Sequence, residues 1–264
     1  MYTFDYQRPA DAAAAAAAYQ GEARYLAGGQ SLVQAMKLRL SSSERLVDLG
    51  GIDDLKQIRI DGDRVVVGAM ATHASVARSA EVRQACPALA ELAGGIGDPM
   101  VRNMGTIGGS VANADPAACY PAAVLGLGAT VHTREREIPG DAFFTGVFET
   151  ALNPGELITA VSFPATQQAA YVKYKQPASR FALVGVFVSR GAAGVRVAVT
   201  GCRGSVFRAT AIEQALAASF TPEAAKAVRL PAEGMNSDLH GSAEYRAAMI
   251  SVMASRAVAA ILAR

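Results

Sequence analysis

The sequence contains little of what metal centres, disulfide frameworks and nucleic-acid interfaces are built from. It has no tryptophan, only 6% aromatic residues and a formal net charge of +2, so neither a stacking surface nor a basic face for nucleic acid is indicated. The three cysteines are widely spaced and form no C-x-x-C pair: Cys86, Cys119 and Cys202. The three histidines are equally scattered: His73, His132 and His240. We therefore expect a cytosolic, reducing compartment and no zinc or iron–sulfur site assembled from local spacing.

The chain also lacks an uninterrupted apolar run of about 18 residues, the length that a membrane-spanning helix needs. The longest alanine run, residues 12–18, follows Asp11 and has no basic segment before it. This favours a capped surface helix over a signal peptide. The 264 residues are 51% hydrophobic, enough to bury a large core, and we expect a soluble cytoplasmic protein.

What the sequence does contain is two glycine-rich segments of one pattern: apolar residues, a glycine pair and a small hydroxyl residue. The first glycine segment is Ala27-Gly28-Gly29-Gln30-Ser31. The second is Asn103-Met104-Gly105-Thr106-Ile107-Gly108-Gly109-Ser110, running on to Ala114-Asp115-Pro116. Glycine permits positive φ and close approach to bare N–H groups, as an anion cradle requires, so two cradles could clamp the two phosphates of one dinucleotide. Neither has Rossmann or P-loop spacing, so a different fold would hold the ligand.

The same residues have simpler interpretations, and the local patterns leave both open. The second glycine segment could be only a tight turn between two elements. Lys175, at the polar end of a strand-like run, could be a solvent-exposed edge lysine or a cation beside a flavin or a substrate carbonyl. Asp115 could cap a helix, and Cys119 could be a buried small hydrophobe or a reactive thiol.

Local patterns predict a mixture of helices and strands in two domains. Asp11 caps a helix to Tyr19, residues 24–49 form a β-α-β unit, and Asp61-Gly62 turns a hairpin. Further helices are predicted at residues 72–79, 88–93, 120–127, 210–218, 221–228 and 243–262, and further strands at 129–133, 136–138, 158–163, 170–176, 182–190 and 195–200. A boundary near Gln167 separates a nucleotide domain, residues 1–166 with subdomains 1–52 and 53–166, from a smaller sheet-and-helix domain, residues 167–264.

Longer motifs extend these patterns over almost the whole chain. They are residues 27–32 with 36–39, 102–110 with 114–116, 143–146, 154–158, 177–180 and 238–246. In this order they resemble the FAD-binding medium subunit of molybdenum-containing hydroxylases, of the carbon-monoxide-dehydrogenase and xanthine-dehydrogenase type. The resemblance implies an α+β fold, with a two-subdomain FAD-binding domain of the vanillyl-alcohol-oxidase type followed by a smaller C-terminal domain of β-sheet and helices.

The resemblance also implies an oxidoreductase with its cofactors divided among subunits. This chain would carry FAD, a large partner the molybdenum cofactor and a small partner two [2Fe–2S] clusters, in a dimer of heterotrimers. Electrons would reach FAD from the clusters and leave to a quinone, NAD or oxygen. The residues implied to bind the FAD pyrophosphate are Leu26, Ala27, Gly28, Gly29, Gln30, Ser31, Leu32, Val33, Thr106, Ile107, Gly108, Gly109 and Ser110. Those implied near the flavin ring are Ile96, Leu157 or Ile158, and Lys175, whose charge would stabilise negative charge on the ring.

One position departs from the family pattern. Nine residues after Ser110 the family commonly has an aspartate that hydrogen-bonds the ribityl or ribose hydroxyls, and this chain has Cys119, a weaker acceptor. Either Asp115 or the backbone would take over that contact, or FAD would be held less tightly. The leading hypothesis is an FAD-carrying electron-transfer subunit. The alternatives are a stand-alone flavin oxidoreductase with its own substrate pocket and a non-catalytic scaffold that has lost FAD. The substrate of the complex would bind the large subunit.

Overall fold

The computed structural model describes residues 1–192 and 194–264, which form four sheets flanked by helices. The strands are β1 (Asp5–Gln7), β2 (Ala23–Leu26), β3 (Arg45–Asp48), β4 (Ile58–Asp61), β5 (Arg64–Gly68), β6 (Thr130–Thr133), β7 (Glu137–Pro139), β8 (Phe144–Gly146), β9 (Glu149–Thr150), β10 (Ile158–Pro164), β11 (Ala169–Lys175), β12 (Ala182–Gly191), β13 (Gly194–Thr200) and β14 (Phe207–Arg208). The helices are α1 (Ala12–Ala18), α2 (Leu32–Lys37), α3 (His73–Arg78), α4 (Ala80–Ala85), α5 (Pro87–Gly94), α6 (Pro99–Met104), α7 (Ile107–Asn113), α8 (Tyr120–Leu127), α9 (Thr210–Ala218), α10 (Pro222–Ala227) and α11 (Ala243–Leu262).

The first sheet consists of three short parallel strands in the order β1-β3-β2. Asp11 caps α1 by accepting the Ala14 amide at 2.7 Å, as the sequence predicts. The chain then runs from β2 through the first glycine segment and α2 to β3, so the predicted β-α-β unit is confirmed. The sequence patterns miss β1, because its three residues are all exposed and therefore show no alternation of polarity.

The second sheet is antiparallel, in the order β4-β5-β10-β6-β7. Its predicted hairpin is confirmed, with Gly62 in the left-handed region at φ +58° between β4 and β5. Helices α4, α7 and α8 pack on this sheet around a core that includes Val67, Tyr120 and Phe163, all fully buried. The sheet thus provides the support on which the second glycine segment lies.

The second glycine segment is mostly helical, where the sequence patterns allowed a tight turn between two elements. Its first residues end α6, Gly105 and Thr106 are extended, and its last residues form the first turn of α7, which Thr106 caps by accepting the Gly109 amide at 3.2 Å. Glycine inside a helix costs about 1 kcal/mol relative to alanine, so local propensity predicts a turn. Packing overrides that propensity, because a side chain at Gly108 would lie 2.5 Å from the Ala69 Cβ of the second sheet.

The third large sheet is antiparallel, in the order β11-β12-β13-β14, and has helices on both faces. On β12, Val186 and Val188 belong to the core shared with α9 and α11, whereas Phe187 belongs to the core shared with α8. A side chain at Gly126 of α8 would meet the Phe187 ring at 2.6 Å. The main hydrophobic core therefore contains residues from both sides of position 166. The division into two domains near Gln167 stays a prediction.

Helix α11 is, among the described helices, the one long and apolar enough to span a membrane by length and composition. Its apolar residues do not form an uninterrupted run, because Glu244, Arg246 and Arg256 lie within the helix. Half of its most apolar stretch of 18 residues is buried inside the protein, and the helix packs on β11 and β12. Core helices of soluble proteins can have the same length and composition, so these two properties alone do not indicate a membrane span.

Candidate functional site

A cleft of about 1030 Å³ opens between the first sheet, α6, α7 and the hairpin that joins β11 to β12. Most residues assigned to the site from the sequence line it: Ala27, Gly28, Gly29, Gln30, Ser31, Leu32, Ile96, Thr106, Gly108, Gly109, Ser110, Asp115, Cys119, Leu157 and Ile158. Leu26 and Val33 do not line the cleft and lie beneath Gly29, where their side chains would touch an added Cβ. Ile107 also lies outside the lining and is fully buried in the core.

The two glycine segments touch each other, although 76 positions separate Gly28 from Met104. A Cβ added at Gly28 would overlap the Met104 carbonyl oxygen and lie 2.8 Å from the Gly105 Cα. Gly29 follows at φ +71°, a conformation that favours glycine. The first glycine pair therefore serves two purposes, since one residue permits close packing and the other turns the chain into α2.

The main-chain N–H groups of the two segments differ in what they bind. In the second segment they are already paired: Ile107 donates to Ala71 O at 3.1 Å, Gly108 to Ala69 O at 2.8 Å and Ser110 to Thr106 O at 3.0 Å. In the first segment, within the part of the chain that the structure describes, the amides of residues 28–32 have no hydrogen-bond acceptor. The row of unpaired donors thus lies in the first segment, and the second offers side chains.

The polar side chains on the α7 side of the cleft are acceptors and hydroxyls. Thr106 and Ser110 lie one helical turn apart, and both line the cleft. Asp115 accepts the Ala117 amide at 2.8 Å, and burial raises the pKa of this carboxyl above its usual value. Asp115 therefore stabilises a turn between α7 and α8 and lies on the cleft wall; it does not cap a helix, because the residue that precedes the first turn of α8 is Cys119.

Cys119 lies on the cleft wall, and a lysine approaches it from the third sheet. Lys173 Nζ donates to Cys119 Sγ at 3.3 Å and to Arg180 O at 3.0 Å. Lys175 is exposed and lies outside the cleft lining, whereas Lys173 is part of it. The structure therefore places Lys173, instead of the expected Lys175, as the strand lysine that faces the site.

His73 is a cleft residue that no local pattern singles out, because its position in the first turn of α3 has a purely structural explanation. The residue is 5% exposed, and a Cβ at Gly105 would lie 2.6 Å from its Nε2. Burial, assisted by the nearby charge of Arg102, lowers the pKa of His73 to about 4, so the imidazole is neutral at pH 7. Its Nδ1 has no hydrogen-bond partner in the described part of the chain.

Residues 152–158 form a further wall of the cleft, and one carboxylate holds them in place. Glu156 accepts hydrogen bonds from Arg136 Nε and Nη2, both at 2.8 Å, from Thr133 Oγ1 at 2.9 Å and from the Asn153 amide at 2.8 Å. These bonds, chiefly those from Arg136, lower the pKa of Glu156 to about 2. The buried Leu157 next to it lines the apolar side of the cleft.

The cleft lining therefore combines unpaired amides and hydroxyls with the apolar side chains of Ile96, Leu157, Ile158 and Phe181. Its volume and this mixed lining suit a large ligand that has both an anionic group and a flat ring. In the described residues, no group of three His, Cys, Asp or Glu side chains could hold a metal ion. The fold and the cleft together define a dinucleotide-binding protein that uses neither a Rossmann turn nor a P-loop.

Comparison with known proteins identifies the family. Residues 2–166 match the family model described as the FAD binding domain in molybdopterin dehydrogenase. The chain is 35% identical to the carbon monoxide dehydrogenase medium chain of Hydrogenophaga pseudoflava, covering 99% of this chain and 98% of that one. It is 33% identical to the nicotine 6-hydroxylase medium subunit of Paenarthrobacter nicotinovorans, over 90% of this chain and 89% of that one.

Solved structures agree with the family model. Reconstituted CO dehydrogenase from Oligotropha carboxidovorans is similar with a TM-score of 0.89 and 34% identity, over 100% of this chain and 99% of that one. Quinoline 2-oxidoreductase from Pseudomonas putida 86 gives a TM-score of 0.89 at 27% identity, over 98% and 97%. The chain belongs to the FAD-binding medium subunits of molybdenum-containing hydroxylases, and it is an oxidoreductase subunit whose cofactor is FAD.

Replacing Cys119 with aspartate tests how this chain differs from the family pattern. We expect Cys119→Asp to bind FAD equally well or up to about tenfold more tightly, which corresponds to about 1.4 kcal/mol. A carboxylate accepts hydrogen bonds more strongly than a thiol, and Lys173 already lies 3.3 Å from the sulfur to balance its charge. Fluorescence titration of the flavin-free protein measures the dissociation constant. Cys119→Ser is the neutral control, and clear loss of FAD in the aspartate variant would contradict this role for position 119.

Proposed function

We propose that the chain is the FAD-carrying electron-transfer subunit of a molybdenum hydroxylase. It would take electrons from [2Fe–2S] clusters of a partner subunit and pass them to an external acceptor. The observation that supports this most directly is that residues 28–32, whose main-chain amides are unpaired in the described part of the chain, line a cleft of dinucleotide size. When bound, FAD supplies the redox chemistry, and the protein supplies position and electrostatics.

Different residues of the cleft lining would bind different parts of FAD. The unpaired amides of residues 28–32 would hold the pyrophosphate, assisted by the hydroxyls of Thr106 and Ser110. Asp115 or Cys119 would meet the ribityl hydroxyls. Ile96, Leu157 and Ile158 would exclude water from the ring, and Lys173 would place a positive charge beside it.

The proposed assembly follows from the subunit composition of the relatives. Those relatives are medium chains and medium subunits, which fits a large subunit with the molybdenum cofactor and a small subunit with the clusters. We propose a dimer of such heterotrimers in the cytoplasm. Relatives of this chain belong to enzymes named for carbon monoxide, nicotine and, in Pseudomonas sp. strain CBB1, caffeine, which supports a substrate class set outside this chain. A quinone, NAD or oxygen would accept the electrons.

A titration of the purified chain tests the proposal. We expect the flavin-free chain to bind one FAD and to show no flavin bleaching with aldehydes, N-heterocycles or purine alkaloids. Addition of both partner subunits together with the substrate of the complex should then bleach the flavin under anaerobic conditions. Absorbance at the flavin maximum follows both steps.

Two outcomes would contradict the proposed function. Bleaching of the flavin by an organic substrate in the chain alone would indicate a stand-alone flavin oxidoreductase. Failure of the folded chain to take up any FAD would indicate a scaffold that has lost its cofactor.

A further inference from the structure

A buried arginine, Arg246, connects the C-terminal segment of the chain to the sheet β11-β12-β13-β14. It belongs to the motif at residues 238–246, none of which lines the FAD cleft. Arg246 is 3% exposed, and its Nη2 donates to both carboxylate oxygens of Asp238, at 2.9 Å and 2.8 Å. Moving a buried guanidinium away from its carboxylate is costly, because its charge would be left without a partner. The pair with Asp238 therefore holds the guanidinium in one position.

The same guanidinium joins two strand ends of this sheet. Nη1 of Arg246 donates to Leu183 O at 2.7 Å, near the start of β12, and to Gly201 O at 2.8 Å, directly after β13. The two strand ends are in close contact, because a Cβ added at Gly201 would lie 2.4 Å from Ala182 O. One charged donor shared by two carbonyl oxygens therefore sets the spacing between the strand ends.

These strand ends hold the turn between α7 and α8, residues 115–118. Gly201 N donates to Pro116 O at 2.8 Å, and Ala182 N donates to Ala117 O at 3.4 Å. The path from the buried guanidinium to the turn thus consists of two successive hydrogen bonds that share one residue, Gly201. A displacement of the strand ends would therefore also displace the turn.

Asp115 is a residue through which the turn reaches the cleft. Its Oδ1 accepts the Ala117 amide at 2.8 Å, and its Oδ2 has no hydrogen-bond partner in the part of the chain that the structure describes. Because Asp115 lines the cleft, this oxygen is available to accept a hydrogen bond from a ligand hydroxyl. Hydrogen bonds weaken steeply with distance and angle, so a small displacement of the turn is enough to weaken such a contact.

We propose that Arg246, held by Asp238, is a positioning residue for FAD that acts through the turn carrying Asp115. This inference rests on the proposed function, and it selects Asp115 as the side chain of this turn that meets the ribityl hydroxyls. The guanidinium holds the two strand ends together, Gly201 holds the turn, and the turn holds the carboxylate. Arg246 itself does not line the cleft.

A second arginine–carboxylate pair in the same sheet provides a control. Arg208 donates from Nε and Nη2 to the two oxygens of Glu213, at 2.8 Å each, and Glu213 also accepts the Val197 amide. This pair connects β13, β14 and α9, and neither of its members lines the cleft. Loss of either pair should destabilise the protein, whereas only the loss of Arg246 should affect FAD binding.

FAD titration of the flavin-free full chain tests the inference. Flavin fluorescence gives the dissociation constant at a temperature at which urea unfolding shows each variant to be folded. We expect Arg246→Met to raise the dissociation constant about fivefold and Arg208→Met to change it less than about twofold. Asp115→Asn keeps an oxygen for the Ala117 amide and removes the carboxylate. With Asp115→Asn already present, Arg246→Met should weaken binding by less than about twofold, because both act on one contact.

The outcomes separate this inference from the proposed function. Unchanged FAD binding in Arg246→Met, or equal weakening by Arg246→Met and Arg208→Met, would overturn the inference. Additive losses in the double variant with Asp115→Asn would overturn it as well. If Arg246→Met does not fold, Asp238→Asn replaces it, because that variant weakens the hold on the guanidinium without leaving a cavity, and the same comparisons apply. Failure of the wild-type chain to bind FAD would instead refute the proposed function.

Discussion

Gly28→Ala is expected to weaken FAD binding at least tenfold, or about 1.4 kcal/mol, and to lower the free energy of unfolding by about 3 kcal/mol. The added Cβ would overlap the Met104 carbonyl oxygen and lie 2.8 Å from the Gly105 Cα. Both neighbours are backbone atoms, which cannot rotate away as a side chain can. The two glycine segments must therefore separate, and the unpaired amides move away from the hydroxyls of α7. Urea unfolding of the flavin-free chain and FAD fluorescence titration measure the two effects.

The matched control for this variant is Gly191→Ala. A Cβ at Gly191 meets no described atom within 4 Å, and its φ lies outside the left-handed region, so the free energy of unfolding should change by less than about 0.5 kcal/mol. An FAD dissociation constant within twofold of the wild-type value in Gly28→Ala would show that contact between the two segments is not needed for binding.

Glu156→Ala is expected to lower the free energy of unfolding at pH 7 by about 3 kcal/mol. The Glu156 side chain is 2% exposed and accepts from Arg136, Thr133 and Asn153, and the last two donors lose a partner inside the protein. Residues 152–158 would loosen, so we also expect weaker FAD binding through the apolar wall. Urea unfolding with and without FAD separates the two effects.

The pH dependence of the Glu156→Ala effect follows from the lowered pKa of the carboxyl. Its pKa falls from 4.5 to about 2 on folding. The ionised carboxyl therefore contributes fully to the free energy of unfolding above pH 4.5, and this contribution is lost as the pH falls towards 2. The difference in stability between wild type and Glu156→Ala should therefore narrow across that range. Glu135→Ala, at an exposed position in the β6–β7 turn, is the control and should change stability by less than about 0.5 kcal/mol. A pH-independent difference would contradict the ion pair as its cause.

Much of the fold follows from local signals in the sequence. The Asp11 cap, the Asp61-Gly62 hairpin and the exact limits of α8 and α11 depend on residues only a few positions apart. Local signals failed at the second glycine segment, because the packing of Gly108 against Ala69 outweighs the poor helix propensity of glycine. They also gave no sign of α6, a short helix without a buried residue.

The two lysines of β11 show why spacing along the sequence does not identify the residues that line a cleft. Lys173 and Lys175 are two positions apart on β11, so the period of a strand places both on one face. A register shift between Tyr174 and Lys175 in the pairing with β12, at the exposed end of the strand, removes that equivalence. Only the paired structure distinguishes the lysine that reaches Cys119 from the one in solvent.

By itself, the sequence determined most of the helices and strands, the positions of the two glycine segments and the order of motifs that identifies the family, because each depends on residues close together along the chain. The tertiary structure decided which of those residues share a site. It paired the amides of α7 with Ala69 and Ala71 and left those of residues 28–32 unpaired. It also buried His73 beside Gly105. The physical reason is that hydrogen-bond pairing, burial and charge depend on neighbours brought together by folding, and no local pattern specifies those neighbours.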